Sequence, residues 1–276
     1  MDAVRRFLFE ALDIRGALVS LGHCWHEMHA DRDDPSIVTA LFGELAAVAV
    51  LIAGNLKTAG RLSIQLQGHG PISLLFVACD EQLRLRGTVR HTVGAGQTAS
   101  LQELLGDGEL ILTLQTNTGR PYQSIVPIHG DNLAAVFEHY LTQSEQQPAR
   151  LFLTAREDFA GGLFLQKLPG ADEKDPDGWN RLRHLAATLD PRELSQPAAN
   201  LLMKLFPEED IRLFDPRPVS YHCPRDEEKV LAMLKALGRA EVEAALAEQG
   251  GELVIEDEVC RQRYRFGAEI LRRLFD

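Results

Sequence analysis

The sequence contains little cysteine and few basic residues for its length. Its four cysteines, Cys24, Cys79, Cys223 and Cys260, are scattered over 276 residues, which is unlike the dense spacing of a secreted disulfide framework. Lysine and arginine together number 29, against 40 aspartates and glutamates. The resulting formal charge of −11 argues against binding to a phosphate backbone, which needs clustered cations. We therefore expect no nucleic-acid partner.

Long hydrophobic runs and targeting signals are also missing. The most apolar run, Leu45 to Ala53, has nine residues, whereas a membrane span needs about 20. This run predicts a buried helix and no membrane partner. Met1 to Leu12 contains two arginines, two acids and no cleavage-like ending, so it does not look like a secretory signal. No phosphate-binding P-loop pattern occurs. These absences predict a soluble cytoplasmic protein without nucleotide-driven cycling.

The pattern of apolar residues predicts an α+β fold. Pro35 opens a helix that runs to Gly54; this helix is apolar nearly all round and should lie between layers. Asp131 is predicted to cap a second, amphipathic helix. Alternating or continuous apolar residues predict strands at Leu62–Gln67, Ile72–Ala78, around Leu83 and Leu85, Leu110–Leu114, Tyr122–Val126, Leu151–Thr154 and Gly162–Leu168. Strands interleaved irregularly with helices indicate α+β and not a doubly wound sheet.

Composition predicts three segments along the chain. Residues 1–170 form a layered β/α N-terminal domain, and residues 171–217 form a linker and helical middle region, since residues 169–180 are rich in Pro, Gly and Asp. Residues 218–276 form a small α+β module with a strand, two helices, a β-hairpin and a last helix. About fifty residues are marginal for an independent core, and such units usually need a metal or a disulfide.

Two cysteines in the C-terminal module look like half of a metal site. A structural zinc needs four ligands, and Cys223 with Cys260 supplies two. Asp257 and His222 offer an oxygen and a nitrogen, but His222 and Cys223 are neighbours along a strand and should point to opposite faces. No cofactor is expected, and a residual zinc site with these ligands stays open as the alternative.

A histidine-rich segment near the N-terminus, residues 23–29, could also suggest a metal site. It is interpreted as a surface helix, because its three histidines cannot easily converge.

Several separate motifs in order resemble one known family. They are Ile14-Arg15-Gly16, Gln65-Leu66-Gln67-Gly68-His69-Gly70-Pro71, Leu104-Leu105-Gly106-Asp107-Gly108, Tyr140-Leu141-Thr142-Gln143-Ser144-Glu145-Gln146, Ala160-Gly161-Gly162 and Phe214-Asp215-Pro216. Over essentially its whole length the chain resembles the heat shock protein 33 family of redox-regulated bacterial holdase chaperones. The resemblance implies unfolded client proteins as partners and allows a homodimer.

The resemblance also implies a C-terminal switch that is broken in this chain. The family pattern is Cys-x-Cys followed by Cys-x-x-Cys, whose thiolates hold one zinc and form two disulfides on oxidation. Here Cys223 and Cys260 match the first and fourth positions, while Arg225 and Asp257 replace the other two. The only disulfide left to this module is Cys223–Cys260, and its formation would stabilise the module, the reverse of the family's behaviour. We also predict an Arg225–Asp257 ion pair in place of the lost metal bonds.

These observations favour an ATP-independent holdase and not an enzyme. Binding of clients would use apolar surface on the N-terminal domain and linker, with activity that is either constitutive or controlled by heat or acid unfolding of the module. A thiol-dependent oxidoreductase using Cys223 or Cys260 is also compatible with the sequence, since Arg225 or His222 could lower a thiol pKa. So are a residual zinc-binding, redox-regulated chaperone and a purely structural interaction protein.

Overall fold

The structure is a computed structural model that describes residues 2–30, 32–56, 60–94, 96, 99–116 and 119–276, without the side chain of Glu145. The chain divides into two compact units, Met1–His222 and Cys223–Asp276. Helices and mainly antiparallel sheets are mixed without βαβ repeats in the described residues. The predicted α+β class is therefore confirmed.

Two sheets form the framework of the first unit. Sheet A has the strand order β10-β1-β2-β9-β8, with β11 also paired to β1, and sheet B has the order β12-β5-β4-β3-β6-β7. The pairs are antiparallel, except that β12 runs parallel to β5. The strands are β1 (Ala3–Phe9), β2 (Ile14–Leu21), β3 (Gly60–Gln67), β4 (Ile72–Cys79), β5 (Arg84–His91), β6 (Glu109–Thr116), β7 (Tyr122–Pro127), β8 (Ala149–Arg156), β9 (Phe159–Lys167), β10 (Ile211–Leu213), β11 (Arg217–Pro218) and β12 (Ser220–Tyr221).

The helices of the first unit fill the space between the sheets and cover sheet A. They are α1 (His23–His29), α2 (Ser36–Asn55), α3 (Leu101–Leu105), α4 (Leu133–Glu145), α5 (Ala171–Lys174), α6 (Gly178–Ala186) and α7 (Ala198–Leu205), with a 3₁₀ helix at Pro191–Ser195. Helix α4 is capped by Asn132, whose side chain accepts a hydrogen bond from the Ala135 N–H. The predicted cap at Asp131 is therefore wrong by one residue, because Asn132 has the extended backbone that a cap requires.

Helix α2 is the centre of the main core. Its apolar residues pack with side chains from both sheets in one continuous cluster, which confirms the prediction of a buried helix after Pro35. By length and composition α2 could cross a membrane, but the core helix of a soluble protein passes the same test, and 67% of its most apolar window is buried. The lack of an apolar stripe on α2 thus reflects burial on nearly every side.

One carboxyl group interrupts this apolar helix. Glu44 is the single charged residue of α2, and burial raises the pKa of its side chain from 4.5 to about 7. Because the folded state holds the proton more tightly than the unfolded state, stability falls as pH rises from about 4.5 to about 7. Above that window the ionised carboxylate costs about 3 kcal/mol.

We expect Glu44→Gln to remove this pH dependence. The wild-type protein should lose about 3 kcal/mol of unfolding free energy relative to the variant between about pH 4.5 and pH 7, because glutamine does not ionise. Urea unfolding across that range measures the difference. Glu157→Gln, at an exposed site, is the control and should parallel the wild type. Parallel curves for Glu44→Gln and the wild type would contradict the prediction.

The second core of the first unit lies on the other face of sheet A. There Phe7, Phe9, Ile14 and Leu165 of the sheet pack with side chains from α6, the 3₁₀ helix and α7. The predicted middle region, residues 171–217, therefore belongs to the first unit by packing, and its linker-like start contains α5 and the beginning of α6. The predicted division of the chain into segments at residues 170 and 217 stays a prediction.

The second unit is small and has a core of its own. Its elements are α8 (Glu227–Leu237), α9 (Arg239–Glu248), β13 (Leu253–Asp257), β14 (Gln262–Phe266) and α10 (Ile270–Phe275). Strands β13 and β14 form a hairpin in which Asp257 faces Gln262. The buried core residues are Val230, Leu234, Val242, Leu246, Leu253, Tyr264, Phe266, Ile270 and Leu274. The predicted order of two helices, hairpin and last helix is confirmed, but the strand before them, β12, pairs with β5 in the first unit.

Candidate functional site

A disulfide joins Cys223 to Cys260 in the second unit. Cys223 is the first residue of this unit, and Cys260 lies in the loop between β13 and β14. The two Cα atoms are 5.5 Å apart, and the cysteines are separated by 37 positions. Closing a loop of this length stabilises a folded unit by about 4 kcal/mol in the chain-entropy estimate. The bond therefore supplies the staple that a unit of this size needs.

Arg225 contacts an aromatic ring and not Asp257. Its guanidinium carbon lies 4.7 Å from the centroid of the Tyr264 ring, in the geometry of a cation–π interaction. Tyr264 is almost completely buried, so the arginine covers one of the largest side chains of the small core. The predicted Arg225–Asp257 ion pair is wrong: within the part of the chain that the structure describes, no ion pair joins these two residues.

Asp257 instead organises the loop that bears Cys260. Its Oδ1 atom accepts hydrogen bonds from the backbone N–H groups of Val259, at 2.9 Å, and Cys260, at 3.2 Å. An aspartate that bonds to the backbone two residues further on forms an Asx turn. The carboxylate is thus used locally, at the end of β13, and it positions the cysteine of the disulfide.

A short chain of hydrogen bonds connects the disulfide to the start of α8. The Gln262 side chain donates to the carbonyl oxygen of Cys223 at 2.7 Å, and the Tyr264 hydroxyl donates to Gln262 Oε1 at 3.3 Å. The same hydroxyl accepts from the backbone N–H of Asp226 at 2.9 Å, and the Asp226 side chain caps α8 at Lys229. Sequence reasoning missed the role of Gln262, for which the only signal was its place two residues after Cys260.

The residues at the four positions of the metal site that the resemblance implies, Cys223, Arg225, Asp257 and Cys260, do not fit a zinc ion. Zinc needs four thiolate, imidazole or carboxylate donors; here both sulfurs are bonded to each other, Arg225 has no lone pair to offer, and Asp257 binds its own loop. His222 directly follows β12, and its backbone N–H donates to the carbonyl oxygen of Leu85 in β5 of sheet B. Among the described residues, no group of three or more His, Cys, Asp or Glu side chains could hold a metal ion, and this includes the histidines of α1.

The two remaining thiols are buried in the first unit. Burial raises the pKa of Cys79 to about 12 and raises the pKa of Cys24 still further. Both therefore stay protonated at neutral pH and are weak nucleophiles. The thiols that an oxidoreductase would require, Cys223 and Cys260, are bonded to each other in this structure.

Helix α1 was interpreted from its sequence as a surface helix. It buries Cys24, Trp25 and Met28 and exposes His23.

The first unit also presents an open strand edge with apolar side chains. Among the described strands, β7 pairs with β6 on one side and ends sheet B on the other. Tyr122 and Ile125 of β7 are 56% and 54% exposed. On the face away from α2, the register aligns Phe76, Gln65, Ile111 and Ile125 in one row across four strands. An unpaired edge beside such a row is a template for adding an extended chain.

The chain as a whole is similar to known chaperones. The chain matches the family model described as Hsp33 protein over residues 2–267. It is 40% identical over 275 residues to the 33 kDa chaperonin of Nitrosococcus oceani, with 99% of this chain and 94% of the relative covered. For the 33 kDa chaperonin of Ectopseudomonas mendocina, identity is 38% over 280 residues, with 99% and 95% covered.

A solved structure shows the same fold. The crystal structure of the 33 kDa chaperonin (heat shock protein 33 homologue) from Thermotoga maritima matches with a TM-score of 0.84, covering 99% of this chain and 98% of that one at 20% identity. The chain belongs to the Hsp33 family, and the resemblance drawn from its motifs is confirmed. Its relatives are bacterial proteins named as chaperones.

Proposed function

We propose that this protein is an ATP-independent holdase that captures unfolded chains along the open edge of β7. The relatives' name supports a chaperone, and the observation that supports this site is the unpaired edge of β7 with Tyr122 and Ile125 exposed. Main-chain groups of the edge would bond any extended client, which requires no particular sequence. The exposed Ile125 and the partly exposed Phe76 of the row would bury apolar client side chains.

Replacing Ile125 with lysine should weaken client capture by about tenfold, because one buried isoleucine contributes about 1.5–3 kcal/mol and an edge lysine opposes strand addition. The measurement is light scattering of a chemically unfolded client diluted into the protein. Met203→Lys is the matched control, since Met203 is 65% exposed on α7 of the same unit. Equal loss in both variants, or no loss in Ile125→Lys, would contradict capture at β7.

A second copy of this chain is the competing occupant of the same edge. If β7 served only a homodimer, Ile125→Lys would convert a dimer to a monomer in sedimentation velocity, while monomeric protein would suppress scattering as well as the wild type. Capture that falls while the oligomeric state is unchanged supports clients as the partners of β7.

We propose that control of this holdase differs from a zinc-based switch. The site does not fit zinc, and the disulfide stabilises the second unit when it forms. In the cytoplasm, where thiols are mostly kept reduced, the unit would rely on its small apolar core and would open on heating. Oxidation would hold the second unit closed.

Other classes of partner find less support. The acidic charge of the chain disfavours nucleic-acid binding, and the buried position of α2 disfavours a membrane role.

A thiol enzyme finds less support than a holdase. A catalytic cysteine needs an accessible thiol with a lowered pKa, whereas burial raises the pKa of both free thiols. Arg225 follows Cys223 by two residues and was the candidate for lowering a thiol pKa, but its guanidinium contacts the Tyr264 ring. We therefore assign Cys223 and Cys260 a structural role.

A further inference from the structure

A cleft on sheet A contains an arginine without a counter-charge among the described residues. The cleft has a volume of about 430 Å³ and lies between the ends of β1 and β2, the 3₁₀ helix and the start of α7. Its lining includes Arg5, Leu18, Ser20, Leu194 and Pro216. A cleft of this size is within the range of small-molecule sites, and it lies on the face of sheet A opposite α2.

The side chain of Arg5 makes no hydrogen bond or ion pair with any residue that the structure describes. The Nε atom is shielded from solvent and has no hydrogen-bond partner, and no described carboxylate pairs with the guanidinium. The two Nη atoms, which also lack a partner in the described chain, remain accessible in the cleft. In a chain with a formal charge of −11, a half-buried cation that no described acid neutralises is a strong attraction for an anion.

The surroundings of Arg5 define the ligand further. Leu18 and Leu194 are buried core residues at the floor of the cleft, so they offer an apolar wall. Ser20, on the strand beside Arg5, lines the same cleft and can add a hydroxyl donor. A guanidinium fork matches the two oxygens of a carboxylate. The combination suits a carboxylate attached to a compact apolar group.

We propose that this cleft binds an organic carboxylate with a small apolar body, through the Nη atoms of Arg5. The source of such a group is either a free small acid or the C-terminal end of a polypeptide. The site lies on sheet A and does not depend on client capture at β7 of sheet B, so either proposal can fail without the other.

The test is calorimetric titration of the full chain with N-acetyl-leucine and, as the neutral match, N-acetyl-leucinamide. We expect the acid to bind and the amide to bind at least about tenfold more weakly, since hydrogen bonds to a charged group are the strong ones. Arg5→Gln should lose the preference for the acid. Equal binding of acid and amide, or binding of neither, would overturn the proposal.

Matched variants separate binding from folding. Arg183→Gln is the control, because Arg183 on α6 also has a buried Nε without a described partner but does not line the cleft; it should bind the acid like the wild type. Arg5→Gln removes no described ion pair, so its thermal unfolding should be nearly unchanged. If it fails to fold, Arg5→Lys keeps the charge without the fork and should bind the acid more weakly than the wild type. A short unstructured peptide, with a free or an amidated C-terminus, then distinguishes the two sources.

Discussion

Reduction of the Cys223–Cys260 disulfide should lower the free energy of unfolding of the C-terminal unit by about 4 kcal/mol. The reason is that reduction restores the conformational freedom of the 37-position loop in the unfolded chain. Hydrogen exchange of the amides in residues 223–276, with and without reductant, measures the change. In the same samples, client scattering should be suppressed more strongly by the reduced protein than by the peroxide-treated protein.

A variant without the bond provides the control for this result. Cys223→Ser combined with Cys260→Ser should exchange like the reduced wild type and should not respond to reductant, while the buried thiols Cys24 and Cys79 stay unchanged. Elemental analysis of the reduced wild type should find no stoichiometric zinc. Amides that exchange at equal rates before and after reduction, or client capture that requires peroxide, would show that the bond does not control this unit.

Replacing Phe266 with alanine should destabilise the C-terminal unit by about 3–5 kcal/mol, even with the disulfide intact. Phe266 is one of the buried residues of the small core, and its removal leaves a cavity that the few neighbouring side chains cannot fill. Because a unit of this size is marginal, we expect it to open and client capture to rise. Near-ultraviolet circular dichroism and proteolysis report the opening, and light scattering reports capture.

Leu237→Ala is the matched change on the surface of the same unit. Leu237 ends α8 and is 56% exposed, so its truncation should alter stability by no more than about 0.5 kcal/mol. If Phe266→Ala demonstrably unfolds the unit and capture stays at the wild-type level, then the unit does not regulate the holdase. Capture by β7 would in that case be constitutive.

The elements that sequence periodicity predicted are those with a strong local pattern. Strand β3 was found from its strict apolar alternation, and helix α2 from the length of its apolar run after Pro35. Strand β1 was not predicted, since its two central arginines interrupt the apolar alternation of Ala3–Phe9. The pairing of β12 with β5 was also missed, because pairing between distant segments leaves no local pattern.

For the candidate site, too, some features could be predicted from the sequence and others depended on the folded chain. The sequence shows that this module holds two thiols, Cys223 and Cys260, which can pair only with each other within it. The resemblance to the family implies that Arg225 and Asp257 stand where the family has its other two cysteines. The sequence also established the family, because motifs are read in order along the chain. None of this required knowledge of contacts.

What those residues touch depended on the folded chain. Folding joined Cys223 to Cys260, placed Arg225 over Tyr264, and turned Asp257 to its own loop. It left one edge of β7 without a partner among the described strands and Arg5 without a described counter-charge. The physical reason is that partners of polar and charged side chains are chosen by distance and direction in space, and residues far apart in sequence become candidates only once the chain has folded.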